Sequence, residues 1–196
     1  MRWDELSELH YITPINNVES IETYGILSFH RAKRIPHISV AMQDIQDIRS
    51  GRAVPGGMPL HRYANLYFHA RNPMLYKRRG EHLNICVLRI NKEVLRLPDV
   101  VITDANAASE YTSFQRSPEG LERIDRNMVF ANNWTDPDPI KYWRKKSAKC
   151  AEALVPERIE PDYIIGAFVS CRAANNKLIA LDYQKQVTID PHFFFM

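Results

Sequence analysis

One carboxylate, Glu152, sits between alanines in the stretch KKSAKCAEALVPERI (145–159), in a short apolar run that follows four cationic residues in the six positions 144–149. Burying an unpaired carboxylate is strongly unfavourable, so an acid placed there is either a solvated surface group or a charge kept for chemistry. The chemistry open to a single fixed carboxylate is the kind that needs little machinery beyond positioning and one well-placed charge.

The cations are clustered. They concentrate in HRAKR (30–34), YKRRG (76–80) and YWRKKSAK (142–149), although the formal net charge is only +3. Two of these runs begin with an aromatic residue, a mixture suited to single-stranded nucleic acid, where cations neutralise phosphates and rings stack on unpaired bases. Solvated basic loops would read the same way. The seven histidines are scattered without a metal-ligand spacing, so no metal is expected. No GxGxxG, P-loop, HExxH or GxSxG pattern occurs. Cys86, Cys150 and Cys171 are an odd number with no close pair, which argues against a disulfide framework and fits a reducing cytoplasm. The N-terminus MRWDELSELHYI lacks the basic and apolar regions of a secretory signal, and no apolar run nears the roughly 20 residues that span a bilayer. No membrane association is expected.

The 196 residues suit one domain, 1–196, of mixed α+β type. A helix is predicted over 16–25, capped by Asn16 or Asn17 and stopped by Gly25, with Val18, Ile21 and Ile26 at helical spacing. A second is predicted over 40–50, followed by the AVPGGMP loop, and a third over 118–134, followed by the Pro-rich turn TDPDPI. Strands are predicted over 65–70, 84–90, 99–104, 152–155 and 163–171 from their β-branched and aromatic content.

Several separated segments together resemble the DarT family, NAD-dependent ADP-ribosyltransferases that modify bases in single-stranded DNA. HYITPINNVESIETYGILS (10–28) is similar to the family's opening. DIQDIRSGRAVPGGMPLHRYANLYFHARNPMLY (44–76) resembles its central block, with an Arg-bearing helix, Val-Pro, Leu-His-x-Tyr, an aromatic strand and Pro-Met-Leu-Tyr. VITDANA (101–107) resembles the Phe-Thr-Asp segment, and KCAEALV resembles the Gln-Ala-Glu-x-Leu-Val catalytic motif.

The resemblance implies a split β-sandwich of two small antiparallel sheets with helices around an NAD cleft. It implies Glu152 as the catalytic carboxylate and Arg49 as the arginine over the nicotinamide-ribose and target base. Tyr11, Thr13, Asn17, Tyr67, Arg71 and Leu75 are implied at the NAD site. Tyr76, Lys77, Arg78, Arg79, Asn106, Tyr142, Trp143, Arg144, Lys145 and Lys146 are the candidates for gripping single-stranded DNA. A macrodomain hydrolase antitoxin is the implied partner of such a toxin. Departures occur: Tyr11 stands where the family often has His, with His10 one place earlier; Asn72 replaces Ser; His69-Ala70 replaces the residue and Pro before Arg; Asn106 stands where some members have His. These bear on the target base, guanine or thymine, and incline toward guanine. An acceptor other than DNA (RNA, protein or water) and a catalytically silent strand-binding module are the alternatives. Replacing Glu152 by Ala is expected to abolish modification without lowering the melting temperature.

Overall fold

The computed structural model describes residues 1–196. Ten strands are β1 (Glu8–Pro14), β2 (Ile26–Leu27), β3 (Tyr63–Tyr67), β4 (Ile85–Asn91), β5 (Val101–Thr103), β6 (Phe114–Arg116), β7 (Glu152–Pro156), β8 (Arg158–Ile159), β9 (Ile164–Val169) and β10 (Gln186–Ile189). Seven helices are α1 (Val18–Tyr24), α2 (Phe29–Ala32), α3 (Gln43–Ser50), α4 (Pro73–Lys77), α5 (Arg126–Val129), α6 (Pro139–Ala148) and α7 (Arg172–Ala180).

Eight strands form a sheet in the order β10-β9-β4-β1-β3-β7-β5-β6, and β2 pairs with β8 apart from it. Only β10 and β9 run parallel. β1 pairs with β4 along its whole length, from Glu8↔Asn91 to Pro14↔Ile85, yet meets β3 through one register pair, His10↔Tyr67. The sheet is therefore almost divided between β1 and β3, and the two expected sheets are its halves, hinged at that pair. β3 in turn pairs with β7 from Tyr63↔Pro156 to Tyr67↔Glu152.

The larger core cluster packs Leu9, Leu66, Phe68, Leu88, Ile90 and their neighbours, all nearly sealed from solvent. β4 and β7 carry short continuous apolar runs, 85–88 and 153–155, and are buried along them. α1 buries Val18 and Ile21, and Gly25 ends it at φ +77. A Cβ at Gly25 would lie 2.2 Å from the Ile159 carbonyl oxygen, so glycine is required there by space as well as by backbone.

Local capping chemistry explains where the elements begin. Asn72 Oδ1 accepts from the Met74 and Leu75 amides with Pro73 in the first turn, which starts α4. Ser and Asn are both good N-caps, so the replacement of Ser by Asn there leaves the turn intact. Asp138 does the same for α6, with Pro139 following it. The TDPDPI turn thus opens a helix.

Three expectations need correction. The predicted helix over 118–134 is a 3-10 turn, Glu119–Arg123, and then the short α5, because Asp125 caps a new start by accepting from the Met128 amide. The strand expected over 65–70 stops at Tyr67, since the Ala70 amide donates to His10 Nδ1 instead of a ladder partner. Asn17 does sit at the N-cap of α1, but its side chain does not cap it.

Candidate active site

Glu152 is the first residue of β7, opposite Tyr67 on one side and Thr103 on the other. Its amide donates to Thr103 Oγ1 at 3.1 Å, which fixes the strand end. The side chain is 1% exposed. Arg49, near the C-terminus of α3, reaches it through one nitrogen: Nη1 donates to Oε2 at 3.0 Å and to Oε1 at 3.3 Å. The other guanidinium N–H groups make no hydrogen bond to the protein. A buried carboxylate is tolerable because of this partner, and both groups keep hydrogen-bonding capacity directed into the space beside them.

That space is a cavity of about 670 Å³, a size typical of small-molecule sites. Tyr11, Thr13, Tyr67, Arg49 and Glu152 line it, with Trp134, Tyr76 and Trp143 farther along the wall. Burial pushes the Tyr11 hydroxyl up to about 12. Burial, followed by the Glu152 charge, holds Tyr67 well above the usual phenol value, so both tyrosines remain neutral donors. Two polar atoms on the wall, His61 Nε2 and Gln46 Oε1, are buried without a partner. Burial first, and the Arg49 and Lys33 charges next, depress His61, which favours the neutral ring. Orphaned polar atoms of this kind await a ligand or water. No group of three or more His, Cys, Asp or Glu side chains is arranged to hold a metal ion.

The structure brings together Glu152, Arg49, Tyr11, Thr13, Asn17, Tyr67, Tyr76, Lys77, Asn106, Tyr142, Trp143 and Lys146, all of which line the cavity. Six other candidates are engaged elsewhere or face away. Arg71 donates from Nε to Asn132 O at 3.2 Å and from Nη1 to His192 O, and lies 4.0 Å above the Phe195 ring, clamping the C-terminal turn. Leu75 is 1% exposed and packs with Ile12, Ile85, Val87 and Phe194 in a core cluster. Arg78 donates to Val40 O and pairs with Glu81. Arg79 donates to Tyr76 O and stacks over that ring at 4.1 Å. Lys145 pairs with Asp136 at 2.7 Å, and Arg144 is exposed on α6 away from the cavity wall. Cations can serve folding as well as binding, and sequence alone does not separate the two uses.

His10, the displaced histidine of the opening motif, does not line the cavity. Its Nε2 meets Glu8 Oε1 at 3.1 Å while Nδ1 accepts from the Ala70 amide. Sequence reasoning gave no role to His61, Gln46 or Trp134. His61 carried a signal, its place in the Leu-His-x-Tyr element; Gln46 also had one, three residues before Arg49 and so on the same helix face. Trp134 had none.

A family model described as "ssDNA thymidine ADP-ribosyltransferase, DarT" matches residues 10–195. A DNA ADP-ribosyl transferase-DNA ADP-ribosyl glycohydrolase fusion protein of Thermosipho africanus is 34% identical over 200 residues, covering 96% of this chain and 50% of the relative. The chain thus spans about half the length of that protein. A structure of Thermosipho africanus DarTG in complex with ADP-ribose superposes with a TM-score of 0.85 at 32% identity, covering 97% of this chain and 51% of the other. Thermus sp. 2.9 DarT in complex with ADP-ribosylated ssDNA gives a TM-score of 0.84 over 96% of both chains at 24% identity, a likeness of fold.

Proposed function

The chain belongs to the DarT family of NAD-dependent ADP-ribosyltransferases, and from that premise we propose that it transfers ADP-ribose from NAD to a base of single-stranded DNA. The bond between nicotinamide and C1′ of the ribose breaks, and its electron pair leaves with nicotinamide. C1′ gains positive charge, as in glycosidases. Glu152 accepts a hydrogen bond from the ribose 2′-hydroxyl and stabilises that charge from a fixed, water-poor position. A nitrogen of the acceptor base then bonds to C1′ and its proton passes to Glu152. Arg49 turns its remaining N–H groups to phosphate or to the edge of the base.

One observation carries this reading: a carboxylate 1% exposed, with a single nitrogen as its side-chain partner, on the wall of a cavity of about 670 Å³. On the strand side, Lys77 and Lys146 supply charge, and Tyr76, Tyr142 and Trp143 supply faces. Lys146 lies 4.6 Å from the Trp143 ring centroid, and Trp143 is 62% exposed. Residues 1–196 act as one catalytic unit. The activity is that of a toxin in a toxin–antitoxin pair, acting in the cytoplasm, with a macrodomain ADP-ribosyl hydrolase as antitoxin. A relative that joins a transferase to a DNA ADP-ribosyl glycohydrolase in one chain supports such a partner. No helix is long and apolar enough to cross a membrane.

The acceptor base is guanine or thymine. The family description names thymidine, whereas Tyr11 and Asn106, both on the cavity wall, depart from the family pattern and favour guanine.

Labelled NAD offered with single-stranded DNA, matched duplex, RNA or no acceptor tests the reading. Label should enter the single strand far faster than the duplex, because a base must leave its stack to reach the site. Equal labelling of RNA, or release of free ADP-ribose at the same rate without acceptor, would move the assignment to the corresponding alternative. Oligonucleotides lacking G or lacking T then identify the base.

A further inference from the structure

Between α2 and α3 the chain runs without regular structure from 35 to 42, and every residue of that segment except Pro36 lines the cavity. Residues 36–41 take part in no backbone-to-backbone hydrogen bond. The outer wall of the cleft is therefore a strap without backbone support, exposed over 36–39, with Ile38 at 54%.

Side chains hold it. Asn17 Nδ2 donates to Ile38 O at 2.7 Å while the Ile38 amide donates to Asn17 Oδ1 at 3.0 Å, so one amide side chain closes a two-bond ring with the strap backbone. The second Nδ2 hydrogen goes to Thr13 Oγ1 at 3.3 Å, which ties the strap to β1. Two residues farther along, Arg78 donates to Val40 O from Nε at 3.2 Å and from Nη2 at 3.0 Å, while its Nη1 is anchored on Glu81. These are the only side-chain bonds between residues 35–42 and the rest of the protein. All four satisfy carbonyl or amide groups that no ladder or helix serves, so losing one frees the segment at that point.

We infer that Asn17 and Arg78 are positioning residues that hold the strap as the outer wall of the dinucleotide cleft and thereby set how tightly NAD binds. The inference rests on the reading of the cleft as an NAD site, and it gives Asn17 a role other than helix cap or ligand contact. A strap that opens and closes reduces the apparent affinity by the fraction of time it is closed, and a ligand that prefers the closed form shifts that fraction.

The exposed Lys33 and Arg34 lie just before the strap and provide a direct probe, since trypsin cleaves there only when the segment can be drawn out. In the full chain, Asn17→Ala and Arg78→Ala should each be cut roughly tenfold faster than the parent, and the KM for NAD in single-stranded DNA labelling should rise by a similar factor with kcat within about twofold. Asn17→Asp keeps the acceptor for the Ile38 amide and loses the donor, and Arg78→Lys keeps one donor for Val40. Both should fall between parent and alanine variant. Glu81→Gln, which disturbs the far side of Arg78, should leave cleavage within about twofold of the parent. Saturating NAD should protect the parent. Unchanged cleavage in both alanine variants overturns the proposal, as does a fall in kcat without a change in KM. If the alanine variants are cut faster but NAD neither binds nor protects the parent, the strap stands as a structural device, and the NAD reading fails together with the claimed effect on affinity.

Discussion

Two arginine–glutamate pairs in this molecule hold a buried carboxylate, and they are satisfied to different degrees. Glu8 meets Arg89 through Nε at 2.9 and 3.1 Å and through Nη2 at 2.8 Å, and His10 Nε2 lies 3.1 Å from the same carboxylate. Glu152 meets Arg49 through one nitrogen. Burial pushes the Glu8 carboxyl up, but hydrogen bonds and charge from His10 and Arg89 prevail and hold it below the ordinary carboxylate range. A carboxylate with that many donors has little left to offer a ligand. Glu152, closed off from bulk water yet under-coordinated and facing a cavity, is arranged for something that arrives later. Saturation, more than burial or charge, separates the structural pair from the one proposed for chemistry.

Exchanging each glutamate for glutamine breaks or confirms that distinction most directly. Glu152→Gln preserves shape and removes charge, and should lower the rate of DNA labelling by roughly 100-fold or more. Glu8→Gln should leave labelling per folded molecule within a few-fold of the parent and instead cost about 1–3 kcal/mol of stability, the range for hydrogen bonds to charged groups, read from denaturant unfolding. Comparable activity losses in both variants would show that saturation does not distinguish them. The pair also reverses an expectation drawn from sequence. Glu152→Ala strands a guanidinium that is 6% exposed, so this variant should melt lower than the parent.

Acid sharpens the same contrast at a smaller scale. The folded-state pKa of Glu8 lies below its unfolded value, so its contribution to stability is present above about 4.3 and is lost as pH falls through the folded value. The stability gap between parent and Glu8→Gln should therefore be widest near neutrality and close as the solution is acidified past pH 4. A gap that stays constant as the native Glu8 carboxyl is protonated would mean that the ionised carboxylate is not what stabilises the network.

How much of this was legible beforehand depended on whether a residue's neighbours in sequence determine its surroundings. Glu152 and Arg49 could be named because each lies in a motif whose chain context positions it. Gly25 could be placed because a helix stop is local chemistry. The helix expected over 118–134 failed for the same local reason, since Asp125 supplies a competing start that apolar spacing does not register. The basic runs were the least legible. Lys149, in the run that precedes Glu152, is buried with Nζ donating to Val129 O and Ala131 O, and burial, then the Arg71 charge, pushes it down to about 8. Its partners are His69 Nδ1 and two backbone carbonyls some twenty positions upstream, which no composition or periodicity marks. The strap at 35–42 was equally hidden, because side chains just before α1 and just after α4 define it.

The smallest effect concerns the cations that the structure leaves free beside the cleft. Lys77 and Lys146 line the cavity wall without an acidic partner, whereas Lys145 and Arg78 are held by Asp136 and Glu81. On the proposed function Lys77 and Lys146 supply two phosphate contacts, so neutralising both should make the dependence of log affinity on log salt for single-stranded DNA shallower by about 1.4, at about 0.7 per contact. Lys145→Ala should leave that slope nearly unchanged, although the sequence places it in the same run and Asp136 loses its partner. Affinity at moderate salt should fall only modestly in the double variant, since stacking on Trp143 and Tyr142 remains. If Lys145→Ala flattens the slope as much as Lys146→Ala does, its ion pair opens when the strand binds. Satisfaction in the free protein, which separates Glu8 from Glu152, would then fail as a guide on the rim while still holding in the cavity.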